Sequence, residues 1–140
     1  MSDARPATPT ATATATDHPA HGHTRWFFSA GLIPARSTGH EPEFTSRTEL
    51  CLLNTGADEA CVHLTVFHTD RDPVGPYEIR VAGRRVREVR LNDLIDPEAV
   101  PLGEPLGLVL ESDLPVVAQL RSVDTRRDGL AVTAIPGLPG

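Results

Sequence analysis

Glu49, Arg90, Gln119 and Arg121 are the residues best placed to do chemistry. Glu49 alternates away from Leu50 and Leu52, Arg90 falls between Val89 and Leu91, and Gln119 and Arg121 interleave with Ala118 and Leu120. In an extended chain each side chain then projects opposite an apolar stripe. On one shared sheet, two guanidinium forks, a carboxylate and a primary amide come together, a donor–acceptor set suited to a polyhydroxyl or anionic ligand. The competing reading is a solvated face with weak ion pairs, each worth about 0–1 kcal/mol. Asp70, Asn92 and Asp93 sit at strand ends, where such residues either close turns through backbone bonds or rim a loop-end pocket. Trp26 reads either as core or as an exposed indole on which a sugar ring stacks.

Catalysis has little support in the residues. His40, His63 and His68 are candidate bases, but there is no nucleophile elbow, no triad and no phosphate-cradling glycine loop. His63 and His68 are five apart on one predicted strand and point to opposite faces, so they do not chelate one metal. Cys51 and Cys61 fit no zinc spacing. No catalytic residue, metal site or cofactor is therefore expected. His18, His21 and His23 form a short His-rich tract, read either as a weak transition-metal binder or as solvated tail.

The supporting elements follow from period and punctuation. Residues 1–24 are rich in Ala, Thr and Pro with almost nothing to bury, and are expected to be disordered. From residue 25 to 140 the chain reads as one β domain. Val62, Leu64 and Val66 form one stripe, as do Tyr77, Ile79 and Val81, then Leu106, Leu108 and Leu110, then Val116, Ala118 and Leu120. RWFFSAGLI and TELCLLN are more evenly apolar, as in strands buried on both faces. Turn signals recur at short intervals, among them Asn54–Gly56, Asp72–Pro76, Gly83, Asp113–Pro115 and Asp128–Gly129. About eight strands in an antiparallel sandwich or barrel result. The one helical candidate is a single turn at Asn92–Ile95, with Asn92 as cap.

The 140 residues suffice for one domain and one core. No apolar run approaches the roughly 18 residues of a membrane span, and no secretory signal is visible, so a soluble cytoplasmic protein is expected. A net charge of −6 argues against nucleic-acid binding, and alternation splits the arginines of GRRVREVR between two faces. All 13 cations are Arg, planar forks suited to carboxylates and anionic ligands. Free thiols are the default for Cys51 and Cys61 in such a compartment. Their predicted strands are neighbours, so a disulfide is the alternative.

Several segments in order carry a family resemblance: GLIPARSTGHEPEF (Gly31–Phe44), Glu49 and Asn54, DRDPVGPY (Asp70–Tyr77), VRLNDLIDPEAVP (Val89–Pro101) and SDLPVVAQLRSVDTR (Ser112–Arg126). The set, spread from Trp26 to Ala134, resembles the sensory rhodopsin transducer family. The resemblance implies an all-β, jelly-roll-like antiparallel β-sandwich, similar in architecture to carbohydrate-binding modules, that assembles as a homotetramer. It implies a non-enzymatic signalling domain that binds a small polar ligand such as a carbohydrate. The alternative it leaves open is a protein–protein adapter that relays a signal from a membrane photoreceptor or another sensor, without a ligand. Glu49, Arg90, Asn92, Gln119 and Arg121 all fall within the matching segments. The chain departs from the pattern in its Ala/Thr/Pro tail, in His68 where an aromatic is usual, and in its PGLPG ending.

Overall fold

The computed structural model describes residues 19–35, 46–125 and 131–140. Eight strands follow one another: β1 (His23–Gly31), β2 (Arg47–Asn54), β3 (Ala60–Phe67), β4 (Val74–Val81), β5 (Arg85–Arg90), β6 (Leu106–Asp124), β7 (Ala131–Pro136) and β8 (Leu138–Pro139). All pairings are antiparallel. No α-helix occurs among the described residues; a single 3-10 turn spans Leu91–Asp93. Among the described residues no helix is long and apolar enough to cross a membrane.

Strand β6 organises the molecule. Its first half pairs with β1 and β3, giving a layer ordered β4-β3-β6-β1-β8. Its second half pairs with β2 and β7, and β5 adds to β2, giving a second layer ordered β5-β2-β6-β7. Leu106, Leu108 and Leu110 in the first half and Val116, Ala118 and Leu120 in the second keep the same parity, so each half of β6 turns one face inward. These side chains join Leu50 and Leu52 of β2, Leu64 of β3 and Ile79 of β4 in one cluster shared by both layers. Each such aliphatic side chain contributes about 1.5–3 kcal/mol through burial. Alternation and turn spacing predict about eight antiparallel strands, as a sandwich or a barrel, and the sandwich that the resemblance implies is the fold found among the described residues.

Several local expectations change. Asp113–Pro115 is not a turn between strands but lies inside the continuous β6. The register opposite β1 jumps there, from Arg25↔Glu111 to His23↔Val116, which marks a bulge on β6. Pro115 has no N–H to give a ladder, and a bulge is where a sheet accepts that. Asn92 does not cap the 3-10 turn; Arg90 holds the cap position, without a side-chain bond. Cys51 and Cys61 are both free, on β2 and β3 in different layers, so the disulfide alternative is removed. Strand β1 begins at His23, two residues inside the stretch read as tail. Residues 19–22 before it are described too, the His21 N–H donating to Thr55 Oγ1 at 2.7 Å, while residues 1–18, with His18, lie outside the described set, as do His40 and the Asp128–Gly129 turn.

The two evenly apolar strands are not covered on both sides. Trp26 and Phe28 of β1 face the core, while Phe27 between them is exposed. Leu50 and Leu52 of β2 are fully buried, and Leu53 is exposed. Inside, Asn54 locks the β2–β3 connection to the end of β4. Its amide donates to the carbonyls of Asp58 (2.8 Å) and Val81 (3.1 Å), and its Oδ1 accepts the Gly56 N–H (3.0 Å).

Candidate functional site: a charged outer face

Register builds the site. Glu49 on β2 stands between Arg90 on β5 and Arg121 on β6, and Cys51, two residues on, stands between Glu88 and Gln119. Directly opposed residues on neighbouring strands share a face. Two rows therefore run across the outside of the second layer, Arg90–Glu49–Arg121 and Glu88–Cys51–Gln119. Strand β7 continues them with Ala134 and Pro136, which add no polar side-chain atom.

The centre is a tight ion network. Glu49 is only 7% exposed although it points away from the core. Its Oε1 accepts from Arg121 Nε (2.7 Å) and Nη2 (2.6 Å), and its Oε2 accepts from Arg47 Nε (3.2 Å). Arg121 Nη2 also reaches Glu88 Oε1 at 3.0 Å. Burial pushes the Glu49 carboxyl up, but the hydrogen bonds from Arg121 and Arg47 outweigh it and hold the group below its ordinary range. Its bonds to Glu49 and Glu88 push Arg121 further up, so it stays charged at any working pH. Burial raises the Cys51 thiol beside them.

Around this floor stand groups with capacity to spare. Gln119 is exposed. Arg90 is half-buried, its Nε is enclosed without a hydrogen-bond partner among the described residues, and the Asp93 carboxylate is 3.9 Å away. The side chain is 31% exposed, so its terminal nitrogens, not the enclosed Nε, are what Arg90 can offer a ligand.

Two residues singled out from the sequence lie elsewhere. Trp26 is 9% exposed, in the core, with its indole N–H donated to the Val116 carbonyl at 2.8 Å. The His23 ring meets it edge-on at 5.4 Å, and within one chain the indole has no open face for a sugar. Asn92 ties the 3-10 turn to β2: its Oδ1 accepts the Thr48 N–H and its amide donates to the Ser46 carbonyl, both at 3.4 Å. That is the structural role open to an Asn at a strand end. Conversely, Arg47 and Glu88 belong to the network and were not singled out. The signal was available, since each lies two residues from a chosen one, Glu49 or Arg90, and period two puts them on the same face.

The outside of the first layer is different. Val109 on β6 lies between Thr65 and Phe27, Phe27 faces Leu138 on β8, and Phe67 faces Gly107. Phe27, Phe67 and Leu138 are exposed, which leaves an apolar patch around the dip at Gly107. Beside it, Cys61 and His63 on β3 meet Glu78 on β4, with Cys61 Sγ 3.2 Å from Glu78 Oε2 and 3.8 Å from His63 Nε2. At one end of the sandwich a cleft of about 280 Å³ is lined by Leu32, Thr48, Pro105, Ser122 and Ile135, among others. The Thr48 hydroxyl there already donates to the Leu32 carbonyl at 2.6 Å.

Residues 21–137 match the family model described as Anabaena sensory rhodopsin transducer. Among solved structures, the protein titled Thermotoga maritima 1070 superposes with a TM-score of 0.74 and 28% identity, over 85% of this chain and 96% of that one. The Anabaena sensory rhodopsin transducer superposes with a TM-score of 0.66 and 37% identity, over 74% of this chain and 97% of that one. No curated protein matches at a significant level.

Proposed function

Because this chain belongs to the Anabaena sensory rhodopsin transducer family, we propose that it is a non-enzymatic signal-transduction domain of the cytoplasm whose charged outer face takes a small polar ligand such as a carbohydrate. The observation that carries the ligand reading is the grouping on one outer face of Arg90, Glu88 and Gln119 around the Glu49–Arg121 pair. A sugar hydroxyl both donates and accepts. Arg90 supplies donors, Glu88 an acceptor, and the Gln119 amide one of each. Glu49 and Arg121 hold one another and form the rigid floor beneath. Both thiols are pushed up, Cys51 chiefly by burial and Cys61 chiefly by its bond to Glu78, the reverse of what a thiolate nucleophile needs.

A thermal-shift screen with mono- and oligosaccharides tests this reading. Ligand at a hundred times its dissociation constant stabilises the folded state by about 2.7 kcal/mol. An Arg90→Ala variant is expected to lose the response. Absence of any sugar-dependent shift in the parent rejects the ligand reading.

A second reading, a protein–protein adapter for a membrane sensor, is favoured by the apolar patch of Phe27, Phe67, Val109 and Leu138. Large side chains grouped on a flat sheet face mark an interaction surface. The same patch supports assembly of the chain as a homotetramer, in which closed symmetry would cover it. Light scattering near 60 kDa, four times the 15.0 kDa chain, is the expected result, and 15.0 kDa rejects it. Capture of a co-encoded membrane sensor by the parent, and not by a Phe27→Ser/Leu138→Ser variant, tests the adapter.

A further inference from the structure

We propose that Cys61, His63 and Glu78 form a binding site for a divalent transition cation of the zinc class, on the outside of the first layer. The site is independent of the sugar reading, which concerns the opposite layer. Among the described residues these three are the one cluster of mixed metal-ligating side chains, with ligand atoms all within 4.8 Å of one another.

The sheet fixes the geometry. Cys61 and His63 are two apart on β3, so both project outward, and His63 is the direct cross-strand neighbour of Glu78 on β4. The donors thus come from the middle of a hairpin rather than from loops. The β3 end is pinned further by the Cys61 N–H, which donates to Asp113 Oδ1 at 2.8 Å. With zinc–sulfur bonds near 2.3 Å and zinc–nitrogen or zinc–oxygen bonds near 2.0–2.1 Å, tetrahedral geometry sets sulfur about 3.5 Å from the other donors. The observed separations of 3.8 Å to His63 Nε2 and 3.2 Å to Glu78 Oε2 bracket that value, and the third pair, His63 to Glu78, lies within 4.8 Å.

The donor set selects the metal. A thiolate, an imidazole and a carboxylate suit zinc or cobalt, whereas calcium and magnesium take oxygen donors only. Three protein ligands leave a fourth position for water. Without metal, the cluster is held by the Cys61–Glu78 bond and by Arg80, whose Nη2 lies 3.1 Å from Glu78 Oε2 while Nη1 binds Glu59. The bond to Glu78 keeps the Cys61 thiol protonated. Metal entry therefore breaks the S–H bond, releases that proton to solvent, forms the metal–sulfur bond, and displaces Arg80 from Oε2. No oxidant or reductant takes part.

The test is a cobalt(II) titration of the full chain under a non-chelating phosphine reductant, read by absorbance. A sulfur-to-cobalt charge-transfer band is expected, saturating at one equivalent and bleached by zinc. Nitrogen-only histidine sites in the N-terminal segment give no such band. Cys61→Ser removes it and Cys51→Ser keeps it. His63→Ala and Glu78→Gln weaken binding at least tenfold, while Arg80→Ala tightens it by freeing the carboxylate. No band in the parent, or a band that survives Cys61→Ser, overturns the site. An unchanged constant in Arg80→Ala and Glu78→Gln removes the carboxylate, and with it the three-donor assignment. Circular dichroism of each variant checks that the sheet is intact.

Discussion

Replacing Arg121 by Ala isolates the network at the centre of the charged face. The variant strips Glu49 Oε1 of both its donors and leaves only Arg47, at 3.2 Å on the other oxygen. Breaking a fully buried pair by removing one partner costs about 3–5 kcal/mol. Here the Glu49 side chain is 9% exposed but Arg121 is 34% exposed, so water screens one partner and enters the gap. Arg47 also keeps part of the compensation. The expected loss is about 1.5–3 kcal/mol, the range of a charge-assisted hydrogen bond. Glu88→Ala is the control: its side chain is 49% exposed, and the loss should stay below about 1 kcal/mol. Urea unfolding measures both. Adding Glu49→Gln to Arg121→Ala should restore stability relative to Arg121→Ala alone, because it removes the stranded charge. The pH profile gives an independent readout. The folded-state pKa of Glu49 is lowered, so its contribution is complete above the unfolded carboxyl value and is lost as pH falls through the folded one. Without Arg121, the opposing effect of burial gains weight, the folded-state value rises toward the unfolded one, and the stability that Glu49 loses on acidification becomes smaller. A variant that loses less than about 0.5 kcal/mol and keeps the parental acid limb would show that the network carries no stability.

Three further outcomes test the scaffold. Leu110→Ala, in the shared core, should cost about 2–5 kcal/mol in urea unfolding, whereas Leu138→Ser on the exposed patch should stay within about 0.5 kcal/mol in the isolated chain. Asn54→Ala leaves buried carbonyls and the Gly56 N–H without their side-chain partner, and should lower stability by about 2 kcal/mol or more, read by thermal melting. Gly83→Ala drives a Cβ into the Ala57 carbonyl, so the loop must shift, at about 1–3 kcal/mol. Amide exchange at Arg84, whose N–H donates to the Gly56 carbonyl at 2.8 Å, should then accelerate.

The faces of strands were legible because alternation is a local property. Ala60, Val62, Leu64 and Val66 turn inward as their period requires, and Cys61, His63, Thr65 and Phe67 turn outward. The partners of a strand are not local. Glu49 meets Arg121 across 72 positions of sequence, and only the pairing of β2 with β6 creates that contact. Trp26 was ambiguous for the same reason: the carbonyl that takes its indole proton belongs to Val116, 90 positions away. Pro115 misled because a proline beside Asp113 has the chemistry of a turn. The signal that it lies in a bulge is the length of β6, a property of the assembled sheet.

The Cys61–His63 pair sharpens the distinction. Its shared face was available from spacing alone, since residues two apart on a strand project together. Spacing tests built around zinc loops look for paired cysteines or helical histidines and pass over a single Cys-x-His on a strand. What completes the cluster is Glu78, which the β3–β4 register delivers opposite His63. The charged face and the cluster thus share one logic. A strand supplies donors at period two, a neighbouring strand supplies the opposite charge at the matching level, and the ladder holds both rigid before anything binds. Polarity is written residue by residue, but a recognition surface is a row across strands. Both surfaces came from residues whose outward direction was clear and whose neighbours were fixed by pairing.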